Sequence, residues 1–218
     1  MAENYLYRIT KFSNVVDLFE TQQLYFAPPS SWEDPYERVL QHKRSDRFFA
    51  QCWSKKSVSD AMWRIYSPER TGIRIRTSRE KLISSLKENK KATNTGFLVR
   101  DVNYVTLGEL DKGLSKIASA LRTKYASRKA ADALLLKRDA FDHEAEVRAI
   151  LNAPEASAGA KSLRVPIDPH LFVENIYFDP RVDPTFEKVC THYLISALGY
   201  KGKIGRSSLY KDRDVIST

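Results

Sequence analysis

His143-Glu144-Ala145-Glu146-Val147-Arg148-Ala149-Ile150-Leu151 is the stretch on which the reading of the fold turns. From Glu146 onward apolar and charged residues alternate, the period of two that a β-strand imposes on its side chains. On such a strand Glu144 and Glu146, at i and i+2, face one side together with Arg148, while Ala145 and Val147 pack behind. Two carboxylates this close raise one another's pKa, and a neighbouring guanidinium opposes the shift. That combination keeps one carboxylate ionised and leaves another for proton transfer. The same spacing also describes an exposed sheet face laced with a Glu–Arg pair that does no chemistry.

Working outward, residues 5–10, 24–27, 48–53, 72–76, 97–105, 163–167 and 173–178 are read as further strands, from short β-branched or aromatic runs bounded by turn residues. Helices are read over 14–20, 59–66, 77–89 and 184–198, with a long helical region over 107–138 broken near 125–127. Pro28-Pro29 stops the second strand, and 28–37 has the turn chemistry of an ordered loop; 153–160 is a loop of small residues. Strands interleaved with helices of uneven length predict an α+β fold: a mixed, mostly antiparallel sheet with flanking helices.

The length of 218 residues suits one domain over 1–218, and 42% hydrophobic residues supply a core, which excludes a disordered chain. No apolar run approaches the ~18 residues of a membrane span, and Met1-Ala2-Glu3-Asn4-Tyr5 lacks a signal-peptide pattern, so a cytoplasmic protein is expected. Cys52 and Cys190 have no second thiol at metal-ligand spacing and are expected to be buried. A net charge of +9 favours a polyanionic partner, nucleic acid or a phosphate-rich ligand. Much of that charge is expected on one helical face carrying Lys112, Lys116, Arg122, Lys124, Arg128, Lys129, Lys137 and Arg138.

Four other segments can carry chemistry. Arg8 lies on the first strand among aromatic and branched neighbours, where a cation needs an anion: a phosphate, or a carboxylate such as Glu146 or Asp34. Trp32-Glu33-Asp34-Pro35-Tyr36-Glu37 suits hydrogen bonding to ribose or stacking on a flat ring, although Asp34 before Pro35 is also a helix cap. Ser54 closes a strand, and Trp63 and Tyr66 share a helix face. The histidines are scattered, and neither a phosphate-binding glycine loop nor a serine-hydrolase elbow is present.

Taken in order, Tyr7-Arg8, the run from Leu24 to Glu37, Cys52-Trp53-Ser54, Met62-Trp63 with Tyr66, Gly72-Ile73, Glu144-Ala145-Glu146-Val147-Arg148 and Ile176-Tyr177-Phe178 resemble a widespread bacterial domain family of unknown function, over nearly the whole chain. That family's loop reads Phe-Asn-Asp-Pro-Phe-Glu, so the asparagine is replaced by Glu33 here. Its Glu-x-Glu-Tyr/Phe-Arg motif has Val147 at the aromatic position. The order of parts also resembles ADP-ribosyltransferases, with Arg8 and Thr10 on a first strand, Ser54 before an aromatic helix, and a late Glu-x-Glu strand.

This second resemblance implies an ADP-ribosyltransferase-like fold and NAD as substrate. Glu146 would face the ribose, and Glu144 would position or deprotonate the acceptor. Arg8 would hold the pyrophosphate, and Ser54 would orient the first strand or the ribose. Tyr66 or Trp63 would stack on nicotinamide, while Thr10, Asp34 and Arg148 would complete the cofactor site. All of this requires a cleft that joins Arg8 to Glu146. The implied role is a toxin or phage-defence effector that modifies nucleic acid. Two other readings stand beside it: a non-catalytic nucleic-acid-binding module, and a metal-dependent nuclease using Asp34, Glu37, Glu144 and Glu146 as oxygen ligands for magnesium.

Overall fold

A computed structural model describes residues 4–157 and 159–211. The strands are β1 (Tyr5–Thr10), β2 (Gln23–Phe26), β3 (Phe48–Ser54), β4 (Ile73–Ser78), β5 (Gly96–Asp101), β6 (Asn103–Val105), β7 (Leu136–Arg138), β8 (Glu146–Asn152), β9 (Leu163–Pro166), β10 (Asn175–Phe178) and β11 (Lys203–Arg206). The helices are α1 (Phe12–Thr21), α2 (Asp60–Tyr66), α3 (Arg79–Ala92), α4 (Leu107–Thr123), α5 (Ser127–Ala133), α6 (Pro169–Phe172) and α7 (Pro184–Ser196). Several begin at side-chain caps: Ser59 accepts from the Met62 amide, Asp183 from the Phe186 amide, and Thr106 with Glu109 forms a capping box.

Seven strands form one sheet in the order β11-β10-β4-β1-β3-β8-β5, with every neighbouring pair antiparallel except β10–β11. Two small sheets, antiparallel β2–β9 and parallel β6–β7, stand beside it. The α+β reading with a mixed, mostly antiparallel sheet holds. Among the described residues no helix is long and apolar enough to cross a membrane.

One face carries the larger core, where Leu6, Phe49, Trp53, Ile75, Val147 and Leu151 meet Val15, Leu18, Phe19, Leu82, Leu86 and Leu194. On the opposite face Phe48, Ala50 and Ile150 pack against Ala130, Ala131 and Leu135. Strand β8 is therefore buried on both faces through Leu151. An exposed sheet face is not what its alternation builds.

Strands β1 and β3 touch at one registered pair, Tyr7 opposite Ser54, whereas β3 and β8 stay in register from Phe48–Asn152 to Ser54–Glu146. Before Ser54 the partner of β3 on this side changes: Ala27 and Ala50 exchange two backbone hydrogen bonds of 3.1 and 2.7 Å. The sheet thus splits along a seam. Gln51 holds the wedge, donating to the Tyr25 carbonyl at 3.0 Å and accepting from the Trp53 indole at 2.9 Å.

Three boundaries depart from expectation. Residues 97–105 form two strands, because the buried Val102 turns its amide onto the Glu146 carbonyl at 2.9 Å. The helical region ends at Ala133, and Leu136–Arg138 is a strand paired with β6. Strand β11 had no counterpart in the pattern reading.

Gln51→Leu should strand the Trp53 indole N–H and the Tyr25 carbonyl in a buried place. Urea unfolding is expected to show a loss of about 2–3 kcal/mol.

Candidate functional site

The strand beginning at Glu146 carries one of the paired carboxylates and not the other. Residues Asp139–Glu144 form a 3₁₀ turn, and Ala145 closes it in the left-handed region at φ 44°. Glu144 and Glu146 therefore do not alternate along a single strand, which corrects the i, i+2 reading. The Ser54 hydroxyl pins the turn, donating to the Glu144 carbonyl at 2.6 Å while accepting from the Lys56 amide at 3.0 Å. The two carboxylates still meet, and what joins them is Lys137. Its ammonium lies 2.5 Å from Glu144 Oε2 and 3.2 Å from Glu146 Oε2. Lys137, expected on an exposed basic helix face, is buried in β7.

Arg148 is 1% exposed and lies at the centre of the cluster. Its Nε and Nη2 grip the two Glu146 oxygens at 2.8 and 2.9 Å, Nη1 donates to the Leu134 carbonyl at 2.6 Å, and Nη2 also bonds Glu37. Trp32 covers the guanidinium at 4.2 Å. The Trp32-to-Glu37 loop thus holds Arg148 in place. Asp34 caps the next turn through the Tyr36 amide and pairs with Arg138 at 3.1 Å. It does not reach the Glu146 carboxylate cluster.

Burial opposes ionisation of Glu146, but the charge and hydrogen bonds of Arg148, reinforced by Lys137, outweigh it and hold the carboxyl down at about 2. Burial pushes Glu37 up, with Arg148 and Lys137 opposing. Burial would lower Lys137, yet the carboxylates of Glu146, Glu37 and Glu144 raise it and keep it an ammonium. The Tyr66 hydroxyl donates to Glu144 Oε1 at 2.9 Å, and burial beside that carboxylate raises the phenol. Three carboxylates share two cations, so the ionised cluster carries one net negative charge.

Registered partners share a face, so Tyr7, Ser54 and Glu146 stand on one side of the sheet, while Arg8 shares the other with Ile75. Alternation alone would separate Arg8 from Glu146. The seam brings both onto the lining of one cavity of about 260 Å³, with Trp32, Gln51, Cys52, Ser54, Met62, Tyr66 and Glu144. Arg8 also lines a cavity of about 530 Å³ with Thr10, Asn14, Tyr25, Gln51 and Arg164. Burial lowers the Arg8 pKa, and among the described residues no carboxylate pairs with it. Of its two expected partners, Glu146 is held by Arg148 and Asp34 by Arg138.

Arg8, Ser54, Tyr66, Glu144 and Glu146 thus meet around the seam cavity, with Arg148 directly behind. Thr10 lies on the second cavity, accepting from Asn14. Trp63 is 1% exposed and lines no part of the seam cavity, so it has no ring face to offer a ligand there. Cys190 is buried as expected, but Cys52 is half-buried on the cavity wall. Lys137 and Gln51 have no place among the expected site residues, and Trp32, expected with its loop to stack on a flat ring, stacks on the Arg148 guanidinium. Among the described residues no group of three His, Cys, Asp or Glu side chains is arranged to hold a metal ion. Glu37, Glu144 and Glu146 are turned onto Lys137 and Arg148, which argues against the magnesium nuclease.

The family model described as "Protein of unknown function (DUF2971)" matches residues 62–149, from α2 into β8. That stretch includes Tyr66, Lys137, Glu144, Glu146 and Arg148, but neither Arg8 nor the Trp32 loop. No curated protein matches the chain. Among solved structures the chain is similar to the DarT protein of Thermus sp. 2.9 in complex with NAD+, at 10% identity over 95% of this chain and 96% of that one, TM-score 0.46. The same protein in complex with ADP-ribosylated ssDNA gives 9% identity over 95% of each chain, TM-score 0.48.

Glu146 has a depressed pKa, so its contribution to stability is present above pH ~4.5 and is lost as pH falls toward 2. Thermal melts over that window should fall in the unmodified protein. Glu146→Gln, already destabilised by about 1–3 kcal/mol at pH 7 because Arg148 keeps only Glu37 as an ion partner, should show a shallower fall. At Ala145, glycine removes a left-handed penalty of ~1–2 kcal/mol at an entropic cost of ~0.5–1. Ala145→Gly should therefore raise the melting temperature by roughly 1–4 °C, and Ala145→Val should lower it.

Proposed function

We propose that the chain transfers ADP-ribose from NAD to a nucleic-acid acceptor, with the seam cavity as its active site. The observation that carries this is an unpaired arginine and an ionised carboxylate cluster on the walls of one cavity. Arg8 offers a cation to an anionic group. The glutamates offer negative charge and fixed acceptors on the lining of the same cavity. A dinucleotide with a pyrophosphate in its middle and a ribose that becomes cationic during reaction needs both. The motif order of the chain, first-strand Arg8, strand-end Ser54, aromatic helix and late Glu-x-Glu, supports the same reading.

In this reading the C–N bond between ribose and nicotinamide breaks, and its electron pair leaves with nicotinamide. Positive charge grows on the ribose facing Glu146. Because Arg148 and Lys137 already hold that carboxylate, it needs no reorganisation as the charge develops. Glu144, on the same wall, takes the proton from the acceptor as its nucleophile bonds to the anomeric carbon. Tyr66 keeps Glu144 in place and offers a ring, 45% of the residue being exposed, to the departing nicotinamide. The net charge of +9 favours nucleic acid over an acidic protein as acceptor, and the role in this reading is that of a toxin or phage-defence effector.

A non-catalytic nucleic-acid module is favoured by one observation, the exposed Lys112, Lys116, Arg122, Lys124 and Lys129 on α4, α5 and their link. NAD turnover separates the two. With labelled NAD and mixed DNA and RNA, the unmodified protein should release nicotinamide, and Glu146→Gln should do so at least ~100-fold more slowly. Arg8→Ala should chiefly raise KM for NAD. No turnover by the unmodified protein, with strand binding intact, would establish the binding module.

A further inference from the structure

At the end of β8 remote from Glu146, a polar cavity of about 380 Å³ lies between the turn that precedes β3 and the link joining α4 to α5. Arg44, Arg47 and Arg128 line it with Tyr125, Ser127 and Asn152, and no carboxylate does. Among the described residues Arg44 and Arg47 make no ion pair. Arg128 approaches Asp132 only at 3.8 Å, in an exposed pair. Asp46, between the two arginines in sequence, lines a different cavity. The Arg44 guanidinium is stacked 4.5 Å from the centre of the Tyr125 ring, and the Tyr125 hydroxyl is buried without a hydrogen-bond partner.

Three guanidinium groups converging without a counter-ion repel one another, and a bound anion relieves that repulsion. Stacking on Tyr125 fixes Arg44 in advance, so its donors lose little freedom on binding. The positive charge continues past the cavity, through exposed Lys124 and Lys129 to Arg122 and Lys116. It extends further than one free phosphate could use, and a phosphodiester that must sink between Arg44, Arg47 and Arg128 is reached more readily by a flexible single strand than by the stiff backbone of a duplex.

We propose that this cavity holds a phosphodiester of a single-stranded nucleic acid whose backbone continues along the basic face of α4 and α5. The six steps of β8 from Glu146 to Asn152 set it about 20 Å from the seam cavity. A strand must therefore extend several nucleotides to occupy both. The proposal rests on the ADP-ribose transfer reading only where it makes this strand the acceptor.

The test is fluorescence anisotropy with a labelled single-stranded oligonucleotide of about 12 nucleotides, without NAD, over a salt series. Arg44→Gln/Arg47→Gln should bind roughly 10-fold more weakly, and its plot of log affinity against log salt should be shallower by about 0.7, the one phosphate contact the cavity makes. Arg44→Lys/Arg47→Lys, which keeps the charge, should recover most of the salt slope, and Lys91→Ala on α3 should change neither. Nicotinamide release from NAD without acceptor should be equal in the double variant and the unmodified protein, which also reports that the variant is folded. Arg128→Gln, at an exposed position, gives an independent variant that should also bind the strand more weakly. Affinity and slope unchanged by these substitutions would overturn the proposal, as would a free nucleoside monophosphate that competes as well as the strand. Strand binding lost while nicotinamide release persists supports the site. Nicotinamide release absent while the arginine dependence holds would overturn the transferase reading alone.

Discussion

A guanidinium taken out of water destabilises a fold by several kcal/mol unless good geometry and hydrogen bonds compensate. Arg148 meets that condition through Glu146, Glu37 and the Leu134 carbonyl, with Trp32 over its face. Much of the molecule's organisation follows from supplying those partners. The loop after Pro29 must return Trp32 and Glu37 to the sheet, α5 must end where the Leu134 carbonyl can reach the cation, and β7 must run beside β6 so that Lys137 balances the third carboxylate. A buried ion cluster of this kind is weak evidence for stability in itself. Its value lies in fixing the orientation of two carboxylates at the mouth of a cavity.

The second constraint is topological. A continuous antiparallel sheet would keep Arg8 and Glu146 apart, since alternation fixes them to opposite faces. The parting of β1 from β3, after Tyr7 in one strand and before Ser54 in the other, lets both contribute to one cavity. The catalytic arrangement proposed above therefore depends as much on a failure of strand pairing as on any side chain. Gln51 is central because its amide joins Trp53 to the Tyr25 carbonyl across that parting.

Much of this was legible in the residues. Local periodicity marks β1, β3, β4 and β8, and the charged residues 144, 146 and 148 stand out against their apolar neighbours. Lys137 was misread because Ala130 to Leu136 continues a helical composition without interruption. The strand it occupies is three residues long and defined by pairing with β6, a contact that no local pattern encodes. Ala145 gave no warning either. Left-handed positions are expected at glycine or asparagine, and this one is imposed by the turn that Ser54 holds. The exposed-face alternative for β8 fails for a related reason: alternating charge also describes a wet face, and the partners that bury it come from elsewhere in the chain.

The seam has a consequence for how the protein behaves among other copies of itself. Where β1 and β3 diverge, each presents main-chain groups without a ladder partner, and unpaired strand edges of this kind are templates for aggregation. Here they are not on the rim of the sheet but inside it. The Ala27–Ala50 bridge closes one end and the Tyr7–Ser54 pair closes the other, which leaves no open edge along which a further strand could run. The fold thus carries its most adhesive backbone in a place that a small ligand can enter and a second polypeptide cannot.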